Sequence, residues 1–405
     1  MGPQEIKPGV YWVGVVDWNL RNFHGYSQTY RGTTYNAYLV VDDSITLFDT
    51  VDWKYREEFL CQIAQVVDPE RIDTLVVNHT EPDHAGSLPY VVDRIRPKRI
   101  YISKTGEKFL RGRFSCQDWP LQPVENQQSI SLGHRSVQFL ETKMLHWPDS
   151  MVAYIPEDKL LISQDAFGQN IASSERLDDW ISWPELKGEM AHYFANIILP
   201  YSARVPKAIQ AIQSLGWEFD TIAPDHGLIL QKHLSDALSA YLEFAAQKPR
   251  RKAVIFYDSM WRSTEKMAEA LGSGLASRGI SVNIFHLKSW HHSDVMSHVW
   301  NSALVAAGSP THNNNIMPLV ADMLTYMQGL RPQNKLGFAF GSYGWSGESP
   351  KILGRWLAGM EAEQPLDPLG VQHVPDHNAY EELASAGRTL AEHIEKRVEQ
   401  AATQD

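Results

Sequence analysis

The stretch Ile72–Gly86, I-D-T-L-V-V-N-H-T-E-P-D-H-A-G, constrains this chain more than any other. Its apolar run Leu75-Val76-Val77, bounded by polar residues, reads as a short buried strand. Directly after it come His79, Glu81, Asp83 and His84 in the pattern H-x-E-x-D-H. Polar residues are ordinary at a strand end. Two imidazoles and two carboxylates at such tight spacing, however, form the donor set of a metal site. In an extended segment alternate residues share a side, so His79, Glu81 and Asp83 are expected together and His84 on the other side. Two clusters facing different directions suit two metal ions better than one.

The rest of the chain must then supply further ligands. With 405 residues it has room for two or three domains. A net charge of -11 argues against nonspecific nucleic-acid binding. The 2 cysteines, Cys61 and Cys116, form no C-x-x-C pair, which removes iron–sulfur and thiolate zinc sites and fits a reducing compartment. The N-terminus shows no signal peptide, and no apolar run reaches membrane-spanning length. A cytoplasmic protein without membrane contact is expected.

Along the chain the elements fall into two patterns. The first region is strand-rich. Strands are expected over 10–16, 35–41 and 45–49, the last two joined as a hairpin by Asp42-Asp43-Ser44. Helices are expected over 54–67, 86–95, 184–215 and 233–247. Two strand-rich halves with helices suggest a sandwich of two sheets covered outside by helices. The basic, proline-containing segment Gln247–Lys252 reads as a linker, which places domains at 1–248 and 249–405. Beyond it, strands and helices alternate strictly, as in a doubly wound parallel sheet.

Three more candidates stand near strand ends in the first region: His146 within L-H-W-P-D-S, Asp165 after Leu160-Leu161-Ile162, and His226 after Thr221-Ile222-Ala223. The series H-x-E-x-D-H, His, Asp, His resembles the metallo-β-lactamase-like site, with a carboxylate where zinc hydrolases usually carry a second histidine. With L-H-W-P-D-S and the flavodoxin-like second half, the whole chain resembles the flavodiiron proteins. The resemblance implies an α/β fold: an N-terminal metallo-β-lactamase-like αββα sandwich and a C-terminal flavodoxin-like doubly wound sheet. It implies that His79, Glu81 and His146 bind one iron, that Asp83, His84 and His226 bind the second, and that Asp165 bridges them. His24, Tyr26 and Tyr193 match positions over the irons, where they would donate hydrogen bonds or protons to a reduced gas. Trp147 is expected to pack and Asp149 to orient a ligand.

In the second region the strand before Asp258 runs into D-S-M-W-R-S-T-E-K, a hydroxyl-rich loop entering a helix. Such a loop binds anions through free backbone N–H groups and the helix dipole. It lacks G-x-G-x-x-G, so a dinucleotide is not favoured. It resembles the flavodoxin phosphate loop, which would set Ser259, Met260, Arg262, Ser263 and Thr264 around the FMN phosphate. Two later loops, G-S-P-T-H-N-N-N with Pro310, Thr311, His312 and Asn313, and G-S-Y-G-W-S-G with Ser342, Tyr343, Gly344, Trp345, Ser346 and Gly347, also follow strands. Ligands of doubly wound sheets bind at those carboxyl ends.

The function implied is reduction of O2 to water and/or NO to N2O at a non-haem diiron centre. FMN would deliver electrons from a separate donor protein, rubredoxin or its reductase. The family arrangement implies a head-to-tail homodimer, or a dimer of dimers. The alternatives are a zinc-dependent metallo-β-lactamase-like hydrolase fused to a flavodoxin electron carrier, and a pure electron carrier with a degenerate metal domain.

Overall fold

The strand Thr74–Val77 is central to a seven-stranded sheet in a computed structural model that describes residues 2–403. Packing divides the chain into two units. One holds the residues up to Gly25 with Thr29–Phe194 and Tyr201–Leu242; the other holds Tyr26–Gln28, Ala195–Pro200 and the chain from Glu243 onward.

In the first unit the seven-stranded sheet has the order Gln4–Lys7, Val10–Trp12, Tyr38–Val40, Thr46–Phe48, Thr74–Val77, Arg99–Ser103, Leu121–Val124. The first four strands are antiparallel neighbours; from Thr46–Phe48 onward the pairing is parallel. The second sheet has the order Ser129–Ser131, Ser136–Glu141, Met151–Ile155, Leu160–Gln164, Thr221–Pro224. Alternation along the strands sorts the side chains. Val76, Tyr38, Phe48 and Tyr101 join Phe139, Ala153, Ile162 and Ala223 in one core between the sheets. Leu75, Val77, Leu39 and Ile102 face the other way, against Phe59, Ile63, Leu88 and Val91 of the helices Arg56–Ala64 and Leu88–Ile95. This is the expected sandwich, with its metal motif at the end of a strand buried on both faces.

Several expected elements are interrupted. The strand read over 10–16 splits at Val13-Gly14 into Val10–Trp12 and Val15–Asp17, and Val15–Asp17 pairs with Thr33–Tyr35 instead. A Cβ on Gly14 would collide with the Tyr35 carbonyl, so only glycine lets the strands cross this closely. The helix read over 184–215 is α over Trp183–Tyr193 and Val205–Ser214, with π and 3-10 turns between them around Pro200. The segment read as a linker is structured: Arg250–Lys252 already belong to the strand Arg250–Tyr257, and Gln247 is buried, its Oε1 accepting the Gln333 N–H.

The second unit contains an all-parallel sheet in the order Ser281–His286, Arg250–Tyr257, Ser302–Gly308, Leu336–Tyr343, Leu369–Gln372. Strand order reverses beside Arg250–Tyr257, which makes the carboxyl ends there the ligand crevice. The helices Ser263–Ala276 and His377–Ala402 cover one face through Met267, Leu271, Leu383, Leu390 and Ile394.

Candidate functional site

The metal motif is held from behind. Asp49 accepts the Asn78 N–H at 2.7 Å and the Asn78 side-chain amide at 2.6 Å, fixing the residue before His79. Glu81 is still extended, but Pro82 then opens the helical turn Pro82–Ala85. Successive residues of a helix stand about 100° apart, not 180°. His84 therefore does not leave from the opposite side, as an extended segment would require; it is buried and faces the same cluster as Asp83.

Asp165 lies at the centre. Its Oδ2 is 2.6 Å from His146 Nε2 and 3.5 Å from His79 Nε2, and Glu81 Oε2 is 2.9 Å from the same His146 nitrogen. Its Oδ1 is 3.4 Å from both His84 Nε2 and His226 Nε2, and these two nitrogens lie 3.5 and 3.3 Å from Asp83 Oδ2. One carboxylate thus faces two groups of three side chains, one group per oxygen. His226 is oriented by its Nδ1–H, which donates to the Thr34 carbonyl at 2.7 Å.

These groups are nearly inaccessible to water, and several are pulled toward their charged forms by their neighbours. Burial alone would raise Asp165, but His79, His146 and His84 hold it well below the usual carboxylate range. Against the same burial, His84 and His24 hold Asp83 well down. Asp165 pushes His79 up to about 10, and Glu81 with Asp165 does the same for His146. The carboxylates draw protons onto the imidazoles because the cluster demands positive charge. Both His79 nitrogens, Glu81 Oε2, Asp83 Oδ1 and Asp165 Oδ1 are buried without a hydrogen-bond partner among the described residues. Buried orphan donor atoms converging on shared space fit bound metal ions. Imidazoles mixed with carboxylates suit iron or manganese better than a purely structural zinc site.

His24 lies over the carboxylates, its Nε2 2.9 Å from Asp83 Oδ2 and its Nδ1 3.5 Å from Glu81 Oε1, with its ring stacked on Phe23. Tyr193 is buried 5.9 Å from the His226 ring, and its hydroxyl has no hydrogen-bond partner among the described residues. Burial, with Asp165 nearby, pushes that phenol well above its usual value. Tyr26 is placed differently: it belongs to the second unit, its ring 6.1 Å from Tyr326 and its carbonyl bonded to His292 Nε2 at 2.8 Å. Trp147 packs edge-on against His146, and the Asp149 carbonyl accepts the Ser103 hydroxyl. Sequence reasoning passed over Asp225, although its place in P-D-H-G beside His226 was a signal. It also passed over Asp49, which has no local motif.

In the second unit a cavity of ≈ 570 Å³ opens at the carboxyl ends of the strands Arg250–Tyr257, Ser302–Gly308 and Leu336–Tyr343. That volume is within the usual range of cofactor sites. Ser259, Met260, Ser263, Pro310, Thr311, His312, Asn313, Ser342, Tyr343, Gly344, Trp345 and Ser346 line it, as do the unforeseen Trp261, Asn314, His373 and Val374. Three expected residues do not. Arg262 turns to Glu265 at 3.0 Å; Thr264 is buried, its hydroxyl 2.9 Å from Ser342; and Gly347 lies under the Tyr343 ring. Trp345 and Trp261 are 92% and 87% exposed at the rim, poised to cover a planar ligand. The helix Ser263–Ala276 points its N-terminus here, as an anionic phosphate requires.

A metal-binding sandwich joined to a flavodoxin-type module defines a two-cofactor oxidoreductase. Residues 33–227 match the model described as ODP family beta lactamase, and residues 255–387 match that described as Flavodoxin. The rubredoxin-oxygen oxidoreductase of Megalodesulfovibrio gigas is 49% identical over 96% of this chain and 98% of its own. The nitric oxide reductase of Moorella thermoacetica is 43% identical over 97% and 99%. The crystal structure of the flavodiiron protein from Giardia intestinalis superposes with a TM-score of 0.95 at 32% identity, covering 99% of this chain and 98% of that one. The chain belongs to the flavodiiron protein family. Its class joins FMN to a non-haem diiron centre and comprises oxygen and nitric oxide reductases; the hydrolase alternative finds no support among these relatives. Among the described residues, no helix is long and apolar enough to cross a membrane.

Proposed function

We propose that residues 1–248 hold the diiron centre, that residues 249–405 hold FMN, and that the chain reduces O2 to water and/or NO to N2O. One observation carries this reading: Asp165 turns one oxygen to each of two three-residue groups. His79, Glu81 and His146 are assigned to one iron, Asp83, His84 and His226 to the other, and Asp165 to both. The proposed boundary falls just ahead of the strand Arg250–Tyr257.

Bound there, the irons supply the redox chemistry for the gas, and FMN supplies the entry point for electrons. The protein supplies charge and shape. Glu81, Asp83 and Asp165 offset the metal charge where water cannot screen it. His24 holds a proton against Asp83, which raises its affinity for that proton above the ordinary imidazole value. It is the group placed to give hydrogen bonds or protons to a reduced gas. Tyr193 keeps its phenolic proton for the same reason of charge and burial. In the second domain Ser263 is assigned to the FMN phosphate and Trp345 to the ring.

The donor is a separate electron-transfer protein; rubredoxin is the one the relative named rubredoxin-oxygen oxidoreductase suggests. A homodimer fits the exposed Trp261 and Trp345 at the flavin rim. A cytoplasmic location fits two unpaired cysteines. The test is to quantify iron and FMN, then mix reduced protein anaerobically with O2 and with NO in parallel. Two irons and one FMN per chain with rapid reoxidation by either gas are expected. Full occupancy with no gas consumed refutes the reading.

A further inference from the structure

Asp225 immediately precedes His226 in the chain. Its carboxylate is 0% exposed, and neither oxygen has a hydrogen-bond partner among the described residues. Burying a carboxylate this way is costly, so something specific must offset it. Its Oδ2 stands 3.5 Å from His79 Nδ1 and 3.9 Å from His84 Nδ1. Both nitrogens are themselves buried without partners. The same two rings turn their Nε2 atoms the other way, His79 toward Asp165 Oδ2 and His84 toward Asp165 Oδ1. Asp225 is fixed by its backbone, whose N–H donates to the Gln164 carbonyl at 3.0 Å and whose carbonyl accepts the Asn36 N–H at 2.7 Å. His226 does not compete for it, since its own Nδ1 is committed to Thr34.

We propose that Asp225 is a shared positioning residue: its one carboxylate accepts the Nδ1–H of both His79 and His84, and so aims one imidazole from each half of the centre at its metal. This rests on the diiron reading above. Metal-binding histidines commonly donate their other N–H to a carboxylate, which fixes tautomer and ring plane and makes the ligand more basic. The separations of 3.5 and 3.9 Å are long for hydrogen bonds, so the proposal requires them to shorten when the metals bind. Asp225 differs from the usual case in serving two rings on opposite sides of Asp165. It also bears on which way His84 points, since the Nδ1 of that ring has no hydrogen-bond partner among the described residues. Because one oxygen would serve both rings, displacing one ring shifts the acceptor of the other. The two halves are thereby coupled behind the metals as well as through Asp165.

The test uses full-length protein loaded anaerobically with ⁵⁷Fe, with FMN content and thermal transition recorded as measures of folding. Asp225→Asn keeps the shape but offers one neutral acceptor. Both Mössbauer quadrupole doublets should shift, and iron should leave to a chelator about tenfold faster or more. His84→Ala should shift chiefly one doublet, and adding Asp225→Asn to it should then move the other. A folded Asp225→Asn protein with both doublets and iron release unchanged overturns the proposal. If that variant does not fold, the wild type decides. An iron-loaded crystal structure with both Nδ1 atoms within hydrogen-bond reach of Asp225 supports it; one with His84 turned out of the site overturns it. A wild-type protein that takes up zinc and refuses iron refutes the diiron reading itself, and the proposal falls with it.

Discussion

On the proposed ligand assignment, Glu81 sets the hardness of the first half of the centre. With His79, His146 and a shared Asp165 it makes two imidazoles and two carboxylates, a donor set for redox-active iron. Glu81→His should leave three imidazoles there and shift uptake toward zinc, with gas reduction falling to background, since zinc has no redox chemistry. Elemental analysis beside turnover checks this; a zinc-loaded variant with full activity would sink the assignment. A second residue, in the other unit, gives a pH signature. Lys335 is buried, its Nζ donating to the Trp300 and Ser302 carbonyls, and burial lowers its pKa from 10.5 to about 7. Between those values the unfolded chain holds the proton and the folded one does not, so stability rises with pH. Below about pH 7 both states hold it and the full penalty stays. Replacing it by Lys335→Met should flatten the curve, removing up to about 1.4 kcal/mol per pH unit of slope between pH 7 and 10. Urea titrations at several pH values read this, and parallel curves would show that Lys335 keeps its proton in the folded state.

At the scale of elements, the phosphate loop and the metal turn can be broken separately. Ser263→Ala with Thr264→Ala removes a hydroxyl lining the cavity and the one that braces Ser342. Hydrogen bonds to a charged group contribute about 1.5–3 kcal/mol each, so FMN affinity should fall roughly a hundredfold. Iron content should not change, and equilibrium dialysis of flavin beside an iron assay separates the two. Loss of iron as well would mean a general folding defect. These loops were legible because each joins a strand to a helix with hydroxyls in view, two of them with glycines as well, and the ligand series was legible because its residue types are chemically unusual together. The orientation of His84 was not. Spacing alone treats 79–84 as extended, and only Pro82 at the head of a helical turn shows that Asp83 and His84 share a side. The break at Gly14 was equally hidden, since the collision it avoids is with Tyr35, remote in sequence. Asp225 was passed over because its partners, His79 and His84, come from another strand end.

For the whole molecule the question is which flavin serves which irons. The residues around Asp165 all belong to one unit, and the residues lining the flavin cavity all belong to the other. A rim with Trp345 and Trp261 almost fully exposed offers apolar surface on which another protein could dock. In a twofold head-to-tail pair, the flavin of one chain would face the irons of its partner, and both sites would be equivalent. Complementation tests this. One chain carries Asp165→Ala, which removes the shared carboxylate and keeps FMN; the other carries Ser263→Ala with Thr264→Ala and keeps its irons. Each parent should be inactive at flavin concentrations below the weakened affinity. Random reassortment then gives half heterodimers with one working site of two, or about a quarter of wild-type activity. Activity must appear only after the chains exchange, and it must scale with the heterodimer fraction measured by native mass spectrometry. If heterodimers form and activity stays at the parental level, electrons pass within a single chain, and the exposed tryptophans belong to the docking face of the donor protein instead.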